Sequence, residues 1–216
     1  METKTIMDKL DEGRQYRSFE LSGFERRAEA DEKKTVEGYA STFNQPYELW
    51  SYDGYTVLEQ IDARAFDDCD MSDVIMQYDH AGRVFARTSN ETLSVGPDAV
   101  GLHVRAELGG TEIGRQLFEE IEGGYTTKMS FGFRVAEDKR EVTENHDDNT
   151  VTVLRTITKI AKLYDVSAVS LPANDATSIS ARNFGEGVIA EIKKEFLARE
   201  KRERQKQKIR ILTEVI

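Results

Sequence analysis

Apolar side chains take every second position at Met129, Phe131, Phe133 and Val135, and Thr126, Lys128, Ser130, Gly132 and Arg134 fill the positions between. A period of two predicts a strand with one face in a core and the other toward solvent, entered here through a Gly123-Gly124 turn. Similar patterns predict strands over Thr35–Phe43, ended by Asn44-Gln45-Pro46, and over Tyr55–Ile61, followed by a turn that Asp62 can cap. Val74–His80 and Val84–Thr88 read as strands joined at Ala81-Gly82. Thr92–Val95 and Ala99–Leu108 read as a hairpin across Gly96-Pro97-Asp98. Thr150–Ile160 and Lys162–Leu171 are two further strands, the second stopped by Pro172.

Two stretches change period. Ile113, Leu117, Phe118 and Ile121 form one stripe of a helix over Thr111–Glu122, with Thr111 as its cap and Gly123 at its end. Val188, Ile189, Ile192, Phe196 and Leu197 form a second stripe, followed by an almost wholly charged run from Lys201 to Lys208. Residues 1–24 are polar and weakly patterned and read as an arm with at most a short helix, and Glu137–Asn149 reads as a charged loop. The pattern divides the chain into an N-terminal arm (1–24), one domain (25–183) and a charged helical tail (184–216).

Charge sharpens that division. Residues 1–183 hold 21 Lys and Arg against 34 Asp and Glu, whereas residues 184–216 hold 9 against 6. A formal net charge of -10 argues against nucleic acid and against an anionic membrane as partners. A single cysteine excludes an intramolecular disulfide framework and a cysteine-based zinc site. No stretch is apolar for long enough to span a bilayer, and the expectation is a soluble protein in a reducing compartment.

The candidate chemistry sits on the strands. Ser130 lies mid-strand beside Gly132, which clears space for another molecule near the hydroxyl. A serine is a weak nucleophile and needs a base, which is usually oriented by a third group. Among the 3 histidines, His103 lies on a polar strand face and His146 in the charged loop, so His80 is the best base. Asp165 interrupts an apolar strand and so calls for a partner, which makes it a candidate orienter. Asp67, Asp68, Asp70 and Asp73 around Cys69 lack the glycine and spacing of a calcium loop and read as a solvated acidic loop. That acidic setting would raise a thiol pKa and leaves Cys69 unreactive. No metal or cofactor is required.

Several words, taken in order, resemble the prohead (capsid maturation) proteases of tailed phages. They are Gly38-Tyr39-Ala40 with Phe43-Asn44, Ile61-Asp62-Ala63-Arg64-Ala65-Phe66, His80 followed by Arg87-Thr88, and Gly101-Leu102. Met129-Ser130-Phe131-Gly132-Phe133-Arg134 and Val166-Ser167 before Leu171-Pro172-Ala173-Asn174 complete the set, which runs from about Glu25 to about Arg182. That family is related to the herpesvirus assemblins. The resemblance implies a mainly β, α+β protein built on a closed or nearly closed β-barrel flanked by helices, with a helical C-terminal tail. It also implies a serine protease in which His80 and Ser130 match the family's histidine and serine. The family's third member is usually a glutamate just before Val-Ser, and here that position is Asp165. His80 is followed by Ala81-Gly82 without a proline, and Phe85-Ala86 stands where the family tends to have Leu-Gly. Arg134 is a weaker candidate helper at the oxyanion.

The implied substrates are the scaffolding part of the major capsid protein and the protease itself, inside a procapsid in the host cytoplasm. The tail suits packaging or self-removal, and self-association into a homo-oligomer stays an open expectation. Two other readings compete. One is an inactive barrel serving as a capsid scaffold or binding module. The other is an esterase, for which Ser130 lacks a Gly-x-Ser-x-Gly setting.

Overall fold

A computed structural model of the chain describes residues 13–20, 34–170 and 179–214. In chain order its strands are β1 (Gln15–Glu20), β2 (Thr35–Thr42), β3 (Tyr47–Tyr52), β4 (Tyr55–Ile61), β5 (Ile75–Tyr78), β6 (Ala81–Arg87), β7 (Leu93–Pro97) and β8 (Gly101–Glu107). Helix α1 (Glu112–Glu122), β9 (Lys128–Asn145), β10 (Thr150–Val169) and α2 (Ile179–Glu214) follow.

The long β9–β10 hairpin is the axis of the larger sheet. β9 pairs with β10 in antiparallel fashion along its length and with β1 on its other edge. The far edge of β10 is shared. β4 runs parallel to residues 151–157, and β5 runs parallel to residues 165–168. The sheet therefore branches at β10, with β3 beyond β4 and β6 beyond β5. β2, β8 and β7 form a separate three-stranded antiparallel sheet. The mainly β, α+β class expected from the sequence holds. The closed barrel does not form among the described residues, because one long strand serves two short partners on a single edge and the sheet forks instead of curling shut.

One core lies between the sheets. Met129, Phe131 and Phe133 pack there with Leu102, Val104 and Ala106 of β8, Leu117 of α1, Phe66, and Ile160, Leu163 and Val166 of β10. Phe131 and Phe133 stack with ring centroids 4.5 Å apart. Helix α1 begins as its sequence predicts, with the Thr111 hydroxyl accepting from the Gly114 N–H at 3.1 Å. The left-handed residue after α1 is Gly124 rather than Gly123. A second cluster joins Val188, Ile189 and Ile192 of α2 to Leu49, Trp50, Val57 and Val153. Burial of each such aliphatic side chain is worth about 1.5–3 kcal/mol, so the first turns of the tail's apolar stripe are bound to the sheet. Residues 201–206, in the charged run, are exposed.

Several elements differ from the sequence reading. β1 lies within the expected arm, of which residues 13–20 are described. β3 occupies a stretch after Pro46 for which the sequence pattern assigns no element. β9 runs on through Asn145, across the stretch read as a charged loop. The two strands expected over 150–171 are one strand, β10, with register shifts between Ile157 and Asp165. Pro172, its expected stop, lies outside the described residues.

β1 is held by buried charge. Arg17 and Arg155 both bond Glu59, with Nη2 of Arg17 at 2.9 Å and Nη1 of Arg155 at 2.8 Å from Oε2. Gln15 accepts from Arg17 at 2.9 Å, and the Tyr47 hydroxyl donates to Glu59. Burial would raise the Glu59 pKa, but the two guanidinium groups outweigh it and bring it down to about 2. Removing one partner from such a group would strand a buried charge, a loss of about 3–5 kcal/mol.

Candidate active site

Three strands present one face to the site. In register, Ser130 of β9 lies opposite Ser167 of β10 and Ser18 of β1. One step along, Gly132 lies opposite Asp165 and Tyr16. Directly opposed residues point the same way, so Ser130, Asp165, Ser167 and Tyr16 share this face.

The fourth contributor is the tight turn between β5 and β6. Asp79, His80 and Gly82 all have left-handed backbones, with φ of 47°, 58° and 75°. For a histidine that conformation is strained and is held by its surroundings. The turn is tied to the end of β10. The Asp79 N–H donates to Ala168 O at 3.0 Å, and the Asp79 carboxylate accepts from the Ser170 N–H at 3.1 Å.

This turn places His80 between the other two candidates. Nε2 lies 2.5 Å from Ser130 Oγ, and Nδ1 lies 2.5 Å from Asp165 Oδ2. An ionised carboxylate only accepts, so Nδ1 carries the ring proton and Nε2 is left to accept from the serine hydroxyl. Ser167 donates to the same Asp165 oxygen at 2.7 Å, and Arg14 bonds the other oxygen, Oδ1. The Tyr16 ring packs 4.2 Å from the His80 ring. Ser130 and Asp165 are fully buried, and the His80 side chain is 14% exposed.

Burial is the largest influence on His80, followed by the Arg14 charge, and together they bring its pKa down to about 4. Asp79 acts the other way, as does any carboxylate in contact with an imidazole that is gaining a proton. At neutral pH the ring is uncharged, the form a general base needs.

The sequence places Ser130 on a solvated strand face and keeps the space over Gly132 for a bound molecule. Both readings are corrected. A Cβ on residue 132 would lie 2.2 Å from Asp165 Oδ1 and 2.7 Å from Arg14 Nε, so the missing side chain makes room for an ion pair inside the protein. Gly132→Ala should displace Asp165 and lower turnover by about 10²-fold, the scale of a misplaced catalytic group. A fluorophosphonate labelling rate for Gly132→Ala equal to wild type would show that the carboxylate position does not matter.

The other candidates lie elsewhere. His103 Nε2 is 3.1 Å from Glu37 Oε1 on the smaller sheet, and its ring meets Tyr39 edge-on. His146 is exposed in the β9–β10 turn, and Arg134 is exposed on β9. The aspartates around Cys69 pair with cations: Asp67 with Arg64, Asp68 with Lys159, Asp70 with Lys162, Asp73 with Arg87. Burial pushes the Cys69 thiol up to about 11. Arg14 and Tyr16 escaped sequence reading because the polar stretch around them shows no alternation.

A hydroxyl, a neutral imidazole and a buried carboxylate in hydrogen-bonded series can perform the nucleophilic chemistry of a serine hydrolase. The family model of the caudovirus prohead serine protease matches residues 22–189, a span that contains His80, Ser130 and Asp165. The chain belongs to that family of serine proteases. No curated protein and no solved structure matches the chain. No described helix is long and apolar enough to cross a membrane.

Proposed function

We propose that the protein is the endopeptidase that matures a phage procapsid, cutting the scaffolding part of the capsid protein and itself, with Ser130 as nucleophile. The observation that carries this reading is the single imidazole of His80 in contact with both Ser130 and Asp165. Ser130 Oγ attacks the scissile carbonyl as its proton passes to His80 Nε2. The imidazolium, held by Asp165 at Nδ1, then protonates the leaving amine, and an acyl-enzyme remains on Ser130. Water, deprotonated by the same ring, releases the new carboxylate and restores the serine.

Ser130 has no exposed surface in this resting arrangement, so peptide binding must shift part of its cover. Tyr16 is half-buried on an edge strand and is a group that can move. A pocket lined by Tyr78, Ala81, Phe85, Ile113 and Leu117 opens beside the His80 turn and offers a place for a substrate side chain.

The competing reading is a scaffold module of the same fold without activity. Purified protein treated with a fluorophosphonate should carry one adduct, at Ser130, by mass spectrometry. Co-expression with the capsid protein of the same phage should shorten both proteins. Absence of an adduct together with an intact capsid protein would leave the scaffold reading in its place.

A further inference from the structure

We propose that Arg14, brought in by the N-terminal strand, is a positioning residue of this site: its guanidinium fixes the Asp165 carboxylate so that the second oxygen faces His80. The proposal rests on the Ser130–His80–Asp165 reading and deepens it. Arg14 lies outside the span 22–189 matched by the family model, so membership of the family does not assign it a role.

The geometry divides the carboxylate between two tasks. Oδ1 is bonded by Arg14, while Oδ2 receives Ser167 and His80 Nδ1. The guanidinium is held in its turn. It lies over the rings of Tyr16, at 5.2 Å, and Tyr164, at 4.9 Å, and its Nε occupies space that only a glycine at 132 leaves free. Asp165 is fully buried, whereas the Arg14 side chain is 33% exposed. An ionised carboxylate with no surface of its own needs a counter-charge, and Arg14 supplies it.

Loss of that charge has one sign at two groups. Without Arg14, Asp165 is more easily protonated, and a protonated acid no longer holds Nδ1–H. His80 also becomes easier to protonate, because Arg14 is the charge that disfavours its imidazolium. The groups facing His80 are Asp165 and Ser130 on the hairpin, Arg14 just before β1, Tyr16 on β1, and Asp79 on its own turn. Catalysis needs His80 neutral and Asp165 ionised, so the acid limb of activity should move to higher pH when Arg14 is lost.

The test uses the full chain as wild type, Arg14→Gln and Arg14→Lys. The His80 ring is followed by NMR against pH, assigned by substituting the other two of the 3 histidines. Fluorophosphonate labelling of Ser130 is timed over the same pH range. In Arg14→Gln the His80 midpoint should rise toward the ordinary histidine value of 6.5, and the acid limb of labelling should follow it. Labelling at neutral pH should slow by about 10²-fold. Arg14→Lys should keep the midpoint near wild type. A purely structural Arg14 would lower the melting temperature and leave midpoint and acid limb in place. That result in folded Arg14→Gln, or a lysine variant titrating like the glutamine one, overturns the proposal. If Arg14→Gln does not fold, Arg14→Met replaces it, and failure of both variants to fold also assigns a structural role and overturns it. Absence of labelling in wild type would instead sink the nucleophile assignment, while the NMR midpoints would still report on Arg14.

Discussion

Ser130→Ala and His80→Ala should each reduce processing of the capsid protein by about 10⁶-fold in kcat, and the double variant should be no slower than either. Ser130 Oγ and His80 Nε2 lie 2.5 Å apart, and in the proposed mechanism one proton passes between them, so removing either leaves the other with nothing to act on. Additive losses would mean that they work independently. His103→Ala and His146→Ala should process normally, because one pairs with Glu37 on the smaller sheet and the other is exposed in a turn. Ser130→Ala leaves His80 Nε2 without its partner, so a stability change of about 1–3 kcal/mol can accompany the loss. Circular dichroism on the same preparation separates that effect from the chemistry. Continued processing by folded Ser130→Ala would end the assignment of Ser130 as nucleophile.

Asp165→Asn should cost about 10⁴-fold, since an amide can donate to Nδ1 and stabilise the tautomer whose Nε2 carries the proton. The rate should still exceed that of Ser130→Ala, because the nucleophile remains. Asp165→Glu keeps an acceptor, but its extra methylene must fit where Asp165 Oδ1 already fills the space left by Gly132. That variant should fall between wild type and Asp165→Asn, with Arg14, one-third exposed, as the side chain that can yield. If Asp165 were only a structural anion, Asp165→Asn would lower the melting temperature and leave the rate per folded molecule unchanged. Measuring both quantities decides the matter.

The sequence made the inner half of this site legible. Alternation identified Met129, Phe131 and Phe133 as core, and so put Ser130 and Gly132 together on the reverse face. Elimination among three histidines and the unusual position of Asp165 supplied the other two candidates, which the structure brings into contact. What covers that face was not legible. Alternation distinguishes a core side from its opposite, and it is silent on whether a strand from elsewhere in the chain lies alongside. β1 itself hides because its buried residues, Gln15, Arg17 and Ser18, are polar, and the first two are satisfied by partners distant in sequence, chiefly Glu59 and Arg155. The stretch 137–145 failed as a strand prediction for a related reason. It is polar on both faces, and its order comes from the β-branched residues of β10 facing it in register. The barrel came from resemblance alone, with no sequence signal for how one long strand would distribute its edge.

The placement of β1 has a consequence for timing. Arg14 and Asp165 are 151 positions apart, so the first described strand to leave the ribosome is joined to one of the last. At roughly 5–20 residues per second that gap takes about 8–30 s of synthesis. Until β9 is made β1 has no edge to pair with and His80 lacks Ser130, and until β10 follows Glu59 lacks Arg155 and His80 lacks Asp165. Contacts so distant along the chain also form slowly once the chain is complete. The three side chains of the candidate site therefore meet only in a late step, when the β9–β10 hairpin closes.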